Sequence, residues 1–170
     1  METFKYNKNP KINTSLDPDF KPAILAIEAF EADVLKSKTY EHITIGLKRS
    51  NEDISVHETI VFNESNPNAK QNEYYIERLI KSLLWTKGGY QILFKGPKTL
   101  SDFIKEAFSH DGIRAFDVAF MERIYEQPFG VVIVDKDDKL IEVEQAKAIG
   151  KHLDGYRIGF DAGGSDRKVS

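Results

Sequence analysis

The chain has 170 residues, 41% of them hydrophobic and 30% charged, and its 24 Lys and Arg against 27 Asp and Glu give a formal net charge of -3. About 70% of the extended surface of a chain this size is buried on folding, so one core suffices without cross-links, and disordered and fibrous classes are excluded. The absence of cysteine removes disulfides, thiolate zinc sites and cysteine nucleophiles, and the slight acidity gives no drive towards a phosphate backbone, so no nucleic acid is expected as partner.

In chain order, residues 1–18 read as a polar arm that would order only by packing on something else. They carry no signal-peptide core, and no apolar run in the chain reaches the ~18 residues of a membrane span, which predicts a cytoplasmic address and no membrane partner. Over residues 20–35 the positions Ala23, Ile24, Ile27, Phe30 and Val34 recur at helical spacing, with Pro22 in the first turn and Asp19 as the cap. HITIGLK and ISVHETIVF then alternate with period two around the turn SNED. A hairpin through that turn sets Ile43 opposite Ile60 and Leu47 opposite Val56.

Beyond a loop at 63–68, Tyr75, Ile76, Leu79, Ile80, Leu83 and Leu84 form a second helical stripe that stops at Gly88 and Gly89. The strand YQILFK leads through Gly96 and Pro97 into a third helix with Leu100, Phe103, Ile104, Ala107 and Phe108 on its apolar face. Gly112 separates it from a fourth with Phe116, Ala119, Phe120 and Ile124. FGVVIVD reads as a buried strand, and the order strand, two helices, strand suits a crossover between neighbours. LIEV is expected as a short return strand, and EQAKAIGKHL as helix or loop. An antiparallel hairpin combined with strand-helix units predicts an α+β fold with a mixed sheet and about four helices.

Most chemical motifs dissolve on inspection. FKGPKT opens a helix after a strand, but Pro97 stands where a phosphate loop needs glycine. In DKDDK, Lys139 takes a calcium-ligand position, so a solvated turn is the reading. His42, His57, His110 and His152 are scattered without metal spacing. Tyr74, Tyr75, Trp85 and Tyr90 offer a sugar-stacking platform, although aromatics at helical spacing are more often core. Asp102, Glu106, Glu122 and Glu126 read as a solvated carboxylate face.

The last segment is the informative one. A strand over residues 156–160 delivers Asp161 to the reversal Ala162-Gly163-Gly164-Ser165, after which a polar strand begins. A Gly-Gly turn lets an anion approach backbone N–H groups, and the preceding carboxylate is placed to hold hydrated magnesium at phosphates. A purely structural hairpin stays open beside this reading.

The residues GFDAGGSDRKVS resemble the phosphate-1 segment, Asp-x-Gly-Gly-[Thr/Ser], of the sugar-kinase, heat-shock-70 and actin superfamily. Residues 152–170 are similar to the start of a ROK-family protein, the bacterial group of repressors, open reading frames and sugar kinases. NEYYIERLIKSLLWTKGGYQILFKGPKTL and FDVAFMERIYEQPFG resemble the N-terminal extension of a ROK subgroup, so the likeness spans residues 72–170. Ala162 stands where the family has a larger aliphatic residue, and Asp166-Arg167 where Lys or Asn is common.

The resemblance implies Asp161 as the magnesium-linked carboxylate and Gly163, Gly164 and Ser165 as the turn facing the β and γ phosphates. After the polar arm at 1–18, it further implies an α+β accessory domain at 19–155 and, at 156–170, the first strand and turn of an actin-like ATPase domain. Family members continue well past this segment, so the chain reads as an N-terminal accessory piece, serving assembly or regulation and not catalytic by itself. ATP and Mg2+ are then cofactors of the longer protein, with none for this stretch alone. The rest of the kinase-like domain is the implied partner, and a homo-oligomer and a small sugar stay open. The alternatives are a free-standing ligand-binding or protein-interaction module, and a complete small enzyme.

Overall fold

A computed structural model describes residues 4–12, 14–50, 53–144, 155, 160–162 and 167–169. Its elements are α1 (Ala23–Lys36), β1 (Tyr40–Ser50), β2 (Asp53–Phe62), α2 (Gln71–Lys87), β3 (Gln91–Lys95), α3 (Lys98–Ala107), α4 (Ala115–Tyr125), β4 (Gly130–Ile133), β5 (Phe160–Ala162) and β6 (Arg167–Val169). The fold is α+β. One sheet has the order β2-β1-β3-β4, with β1 antiparallel to β2 and β3, and β3 parallel to β4 across the α3–α4 crossover. β5 and β6 pair in a second, two-stranded sheet.

Period-two alternation builds the core. Ile43, Ile45 and Leu47 of β1 and Ile92 and Phe94 of β3 share one face, since Leu47 lies opposite Ile92 and Ile45 opposite Phe94, and all five are buried. Against them pack Phe30 and Val34 of α1, Tyr75, Ile76, Ile80 and Leu84 of α2, Leu100 and Ile104 of α3, and Val118 and Met121 of α4. The other face carries Gly46 and Leu93, with Leu140 beside them.

The hairpin register differs from the expectation by one residue: Ile43 faces Thr59, and Leu47 faces Ser55. A bulge between Lys48 and Ser50 inserts an extra residue into β1, and one residue moves a strand's side chains to the other face of the sheet. Thr59 and Ser55 are therefore buried. The Thr59 hydroxyl is satisfied by the Tyr75 hydroxyl at 2.7 Å, which donates to Glu31 Oε1, also at 2.7 Å.

Three local expectations need correction. Asp19 does not cap α1; the helix begins later, with Pro22 at its N-cap and no side-chain cap, because the chain first turns at Asp17, whose carbonyl accepts from the Phe20 N–H. LIEV contributes one bridge, Val143 to Ile54, in place of a strand; this caps the outer edge of β2, where the Glu142 carboxylate also accepts from the Val56 N–H at 3.4 Å. In α4 the stripe of Phe116, Ala119, Phe120 and Ile124 faces the core only through Phe120: Phe116 is 71% exposed and Ile124 54%, and Asp117, Val118 and Met121 are the residues buried instead. Residues 145–153, where helix or loop was expected, lie outside the described residues.

Within residues 1–18, two aromatics join the core. Phe4 stacks on Tyr74 with centroids 4.5 Å apart, and Tyr6 packs edge-on against Phe30 while its hydroxyl donates to Asp33. The stop of α2 is as expected, with Gly88 at φ 77°; a Cβ there would run into the Tyr125 hydroxyl. Among the described residues, no helix is long and apolar enough to cross a membrane.

Candidate functional site

Of the residues that the sequence singles out for phosphate and magnesium, Asp161 lies at the centre of β5, opposite Lys168 of β6, and Ala162 lies opposite Arg167. The reversal between them holds Gly163, Gly164 and Ser165, which lie outside the described residues. Of the predicted strand at 156–160, the described part is Phe160, opposite Val169. Among the described residues, no group of three or more His, Asp or Glu side chains is placed to hold a metal ion. One carboxylate at a reversal does not make a protein cage for a cation. Magnesium can also be held by one or two carboxylates acting together with nucleotide phosphates and water.

A second constellation lies between α2 and α4, and sequence reading missed it. Glu77 is buried in the middle of the apolar stripe of α2, and its Oε1 accepts from Arg114 Nε. Arg114 Nη1 lies 3.7 Å from Asp117 Oδ2, and Asp117 Oδ1 accepts from the Trp85 indole N–H at 2.6 Å. Glu77 and Asp117 are buried in the helix interface, and Arg114 joins them. Buried charges persist only when paired and hydrogen-bonded. The pairing here turns the acidic Asp117 inward and leaves its apolar neighbour Phe116 outside.

The outer face of that ladder is aromatic. Trp85 lies nearly parallel to Phe120 at 4.9 Å and to Phe116 at 6.4 Å, with interplanar angles of 14° and 6°. Trp85 is half-exposed and Phe116 mostly exposed, while Phe120 is partly buried against the core. Trp85 is held from below by its hydrogen bond to Asp117 and stacks on the two phenylalanines, so the rings form a preset apolar surface of the kind that marks interaction sites. Of the other aromatics weighed for stacking, Tyr75 is core, Tyr74 lies on Phe4 and Tyr90 lies against Tyr125.

The remaining candidates resolve into supporting contacts. Pro97 stands at the N-cap of α3, a plain strand-to-helix turn. The carboxylates expected as a solvated face include Asp102, paired with Lys98 at 2.5 Å, and Glu122, which accepts from the Phe129 N–H at 2.9 Å and lies 3.1 Å from His110 Nε2. The Phe129 N–H, then His110, hold the Glu122 carboxyl below the usual glutamate range. Burial chiefly, together with Glu31 for Tyr75 and Asp33 for Tyr6, pushes both hydroxyls above the usual tyrosine range. These groups stay protonated and serve as donors, not bases.

A groove of about 540 Å³ runs beside Glu77, lined among others by Lys70, Glu73, Tyr74 and Ile113. The signals that would have found the ladder were a glutamate inside an apolar run and the Arg114-Asp117 spacing of one helical turn. Compared with known proteins, the chain matches no family model, no curated protein and no solved structure.

Proposed function

We propose that this chain is the N-terminal accessory domain of a cytoplasmic ROK-type, sugar kinase-like protein, serving assembly or regulation and not catalysing phosphoryl transfer by itself. The observation that carries the reading is Asp161 at the centre of a strand that leads into Gly163-Gly164-Ser165, with an antiparallel strand on the far side. A phosphate-1 segment needs that order: a strand to fix the carboxylate, then glycines so that backbone N–H groups can meet phosphate oxygens. In the longer protein Asp161 orients magnesium-bound water at the nucleotide, and the rest of the kinase-like domain supplies the other phosphate contacts and the sugar site. Phosphoryl transfer depends on many groups positioned together, so one segment alone is inert.

The exposed Trp85 and Phe116 rings, stacked in line with the half-buried Phe120, support the assembly half of the proposal. The same face favours a second reading, a free-standing interaction module whose terminal hairpin is structural. The reading frame around Ser170 separates the two. The accessory-domain reading expects it to continue for some hundreds of residues, with the further phosphate and adenosine motifs of the family; a stop codon directly after Ser170 would overturn it.

A further inference from the structure

We infer that the pocket enclosed by the N-terminal arm, α1 and α2 binds a small carboxylate with an apolar body. The pocket has a volume of about 270 Å³. Its apolar wall is set by the stacked pair Phe4 and Tyr74, with Ile27 and Leu79 alongside. Two cations, Lys21 and Arg78, line it together with Asn7 and Ser82, and no carboxylate does. Two other grooves differ on this point: Glu73 and Glu77 line the one beside the buried ladder, and Glu64 and Glu73 line the one at the start of α3.

The charges here are open to a ligand. Lys21 makes no ion pair among the described residues. Arg78 holds its guanidinium 5.2 Å from the Tyr74 ring centroid, and its one carboxylate contact among the described residues is a 3.6 Å approach to Glu77, which Arg114 already engages. A guanidinium kept over an aromatic wall presents a planar fork that matches a carboxylate edge. The Ser82 hydroxyl and Asn7 amide are further donors at the same pocket. The small volume and mainly apolar wall suit an aryl or alkyl monocarboxylate better than a doubly charged, strongly hydrated phosphate ester. This inference does not depend on the hairpin or on the kinase-like reading.

Calorimetric titration of the full chain with 3-phenylpropionate tests it, with 3-phenylpropanamide and phenyl phosphate as comparisons. The expected result is saturable binding of the carboxylate with Kd on the order of 1 mM or tighter. The amide should fail to saturate, and Lys21→Gln and Arg78→Gln should each weaken the carboxylate by about tenfold. Both side chains have exposed heads, so an unchanged melting curve establishes that the variants are folded. The proposal is overturned if the carboxylate does not saturate, if the amide binds equally well, if the phosphate ester binds more tightly, or if both folded variants keep full affinity.

Discussion

Replacing Arg114 with methionine would remove the centre of the buried ladder while keeping most of its aliphatic stem. Glu77 Oε1 would lose its guanidinium, and Asp117 would keep only the Trp85 indole N–H at 2.6 Å. Removing one partner of a buried ion pair costs about 3–5 kcal/mol, because the remaining charge stays desolvated. The lower end applies here: Arg78 remains 3.6 Å from Glu77 Oε2, but it is 53% exposed and so largely screened. A loss of about 3 kcal/mol corresponds to a fall of roughly 1.5 M in the urea midpoint at a slope of about 2 kcal/mol/M. Equilibrium urea unfolding followed by far-UV circular dichroism reads this directly, with Arg78→Met as the comparison expected to lose under about 1 kcal/mol. An Arg114→Met midpoint no lower than that of Arg78→Met, at an unchanged slope, would refute the claim that the ladder fixes α4 on α2.

Gly112→Ala should cost about 3 kcal/mol, since its Cβ would collide with the carbonyl oxygens of Glu106 and Ala107 at the end of α3; a thermal midpoint within 1 °C of wild type would contradict this. Glu122 has a depressed carboxyl, so its contribution is present above the ordinary glutamate value of about 4.3 and is lost as pH falls through the lower folded value. Glu122→Gln should therefore flatten the decline of stability between about pH 4.5 and 3, and an unaltered acid profile would remove the assigned role of the Phe129 and His110 contacts. Tyr6 and Tyr75 have raised values, so the stability they contribute is present below about pH 10 and lost above it. Absorbance titration at high pH should show these two of the seven tyrosines ionising only with unfolding; smooth ionisation of all seven in the folded protein would count against their burial.

The parts of the fold that follow from periodicity were legible. Alternation gave β1 and β2, the helical stripes gave α2 and α3, and Gly88 and Pro97 marked a stop and a start where their backbone constraints require them. What escaped were features decided by pairing across the structure. The bulge at the end of β1 moved the register because nothing local in Lys48-Arg49-Ser50 announces an extra residue. The α4 stripe reads as inward because phenylalanine is more apolar than aspartate, whereas Arg114 and Trp85 make burial of Asp117 favourable. Phe4 and Tyr6 were hidden in a polar arm because two aromatics make no period, yet a gap beside Phe30 and Tyr74 takes both. Of the candidate phosphate site, the residue types and their order were legible in the sequence, and the pairing of Asp161 with Lys168 across two strands is what the fold adds.

The central claim, that Asp161 opens a nucleotide-phosphate segment, is tested most directly by calorimetric titration of magnesium-ATP into the uninterrupted polypeptide that contains this chain, as wild type and as Asp161→Asn. The account predicts magnesium-dependent binding in the wild type and a loss of at least about tenfold in the variant at an unchanged melting temperature, since the isosteric substitution removes a charge at the metal. Equal magnesium-dependent affinity in both proteins would contradict it and leave the hairpin a structural feature.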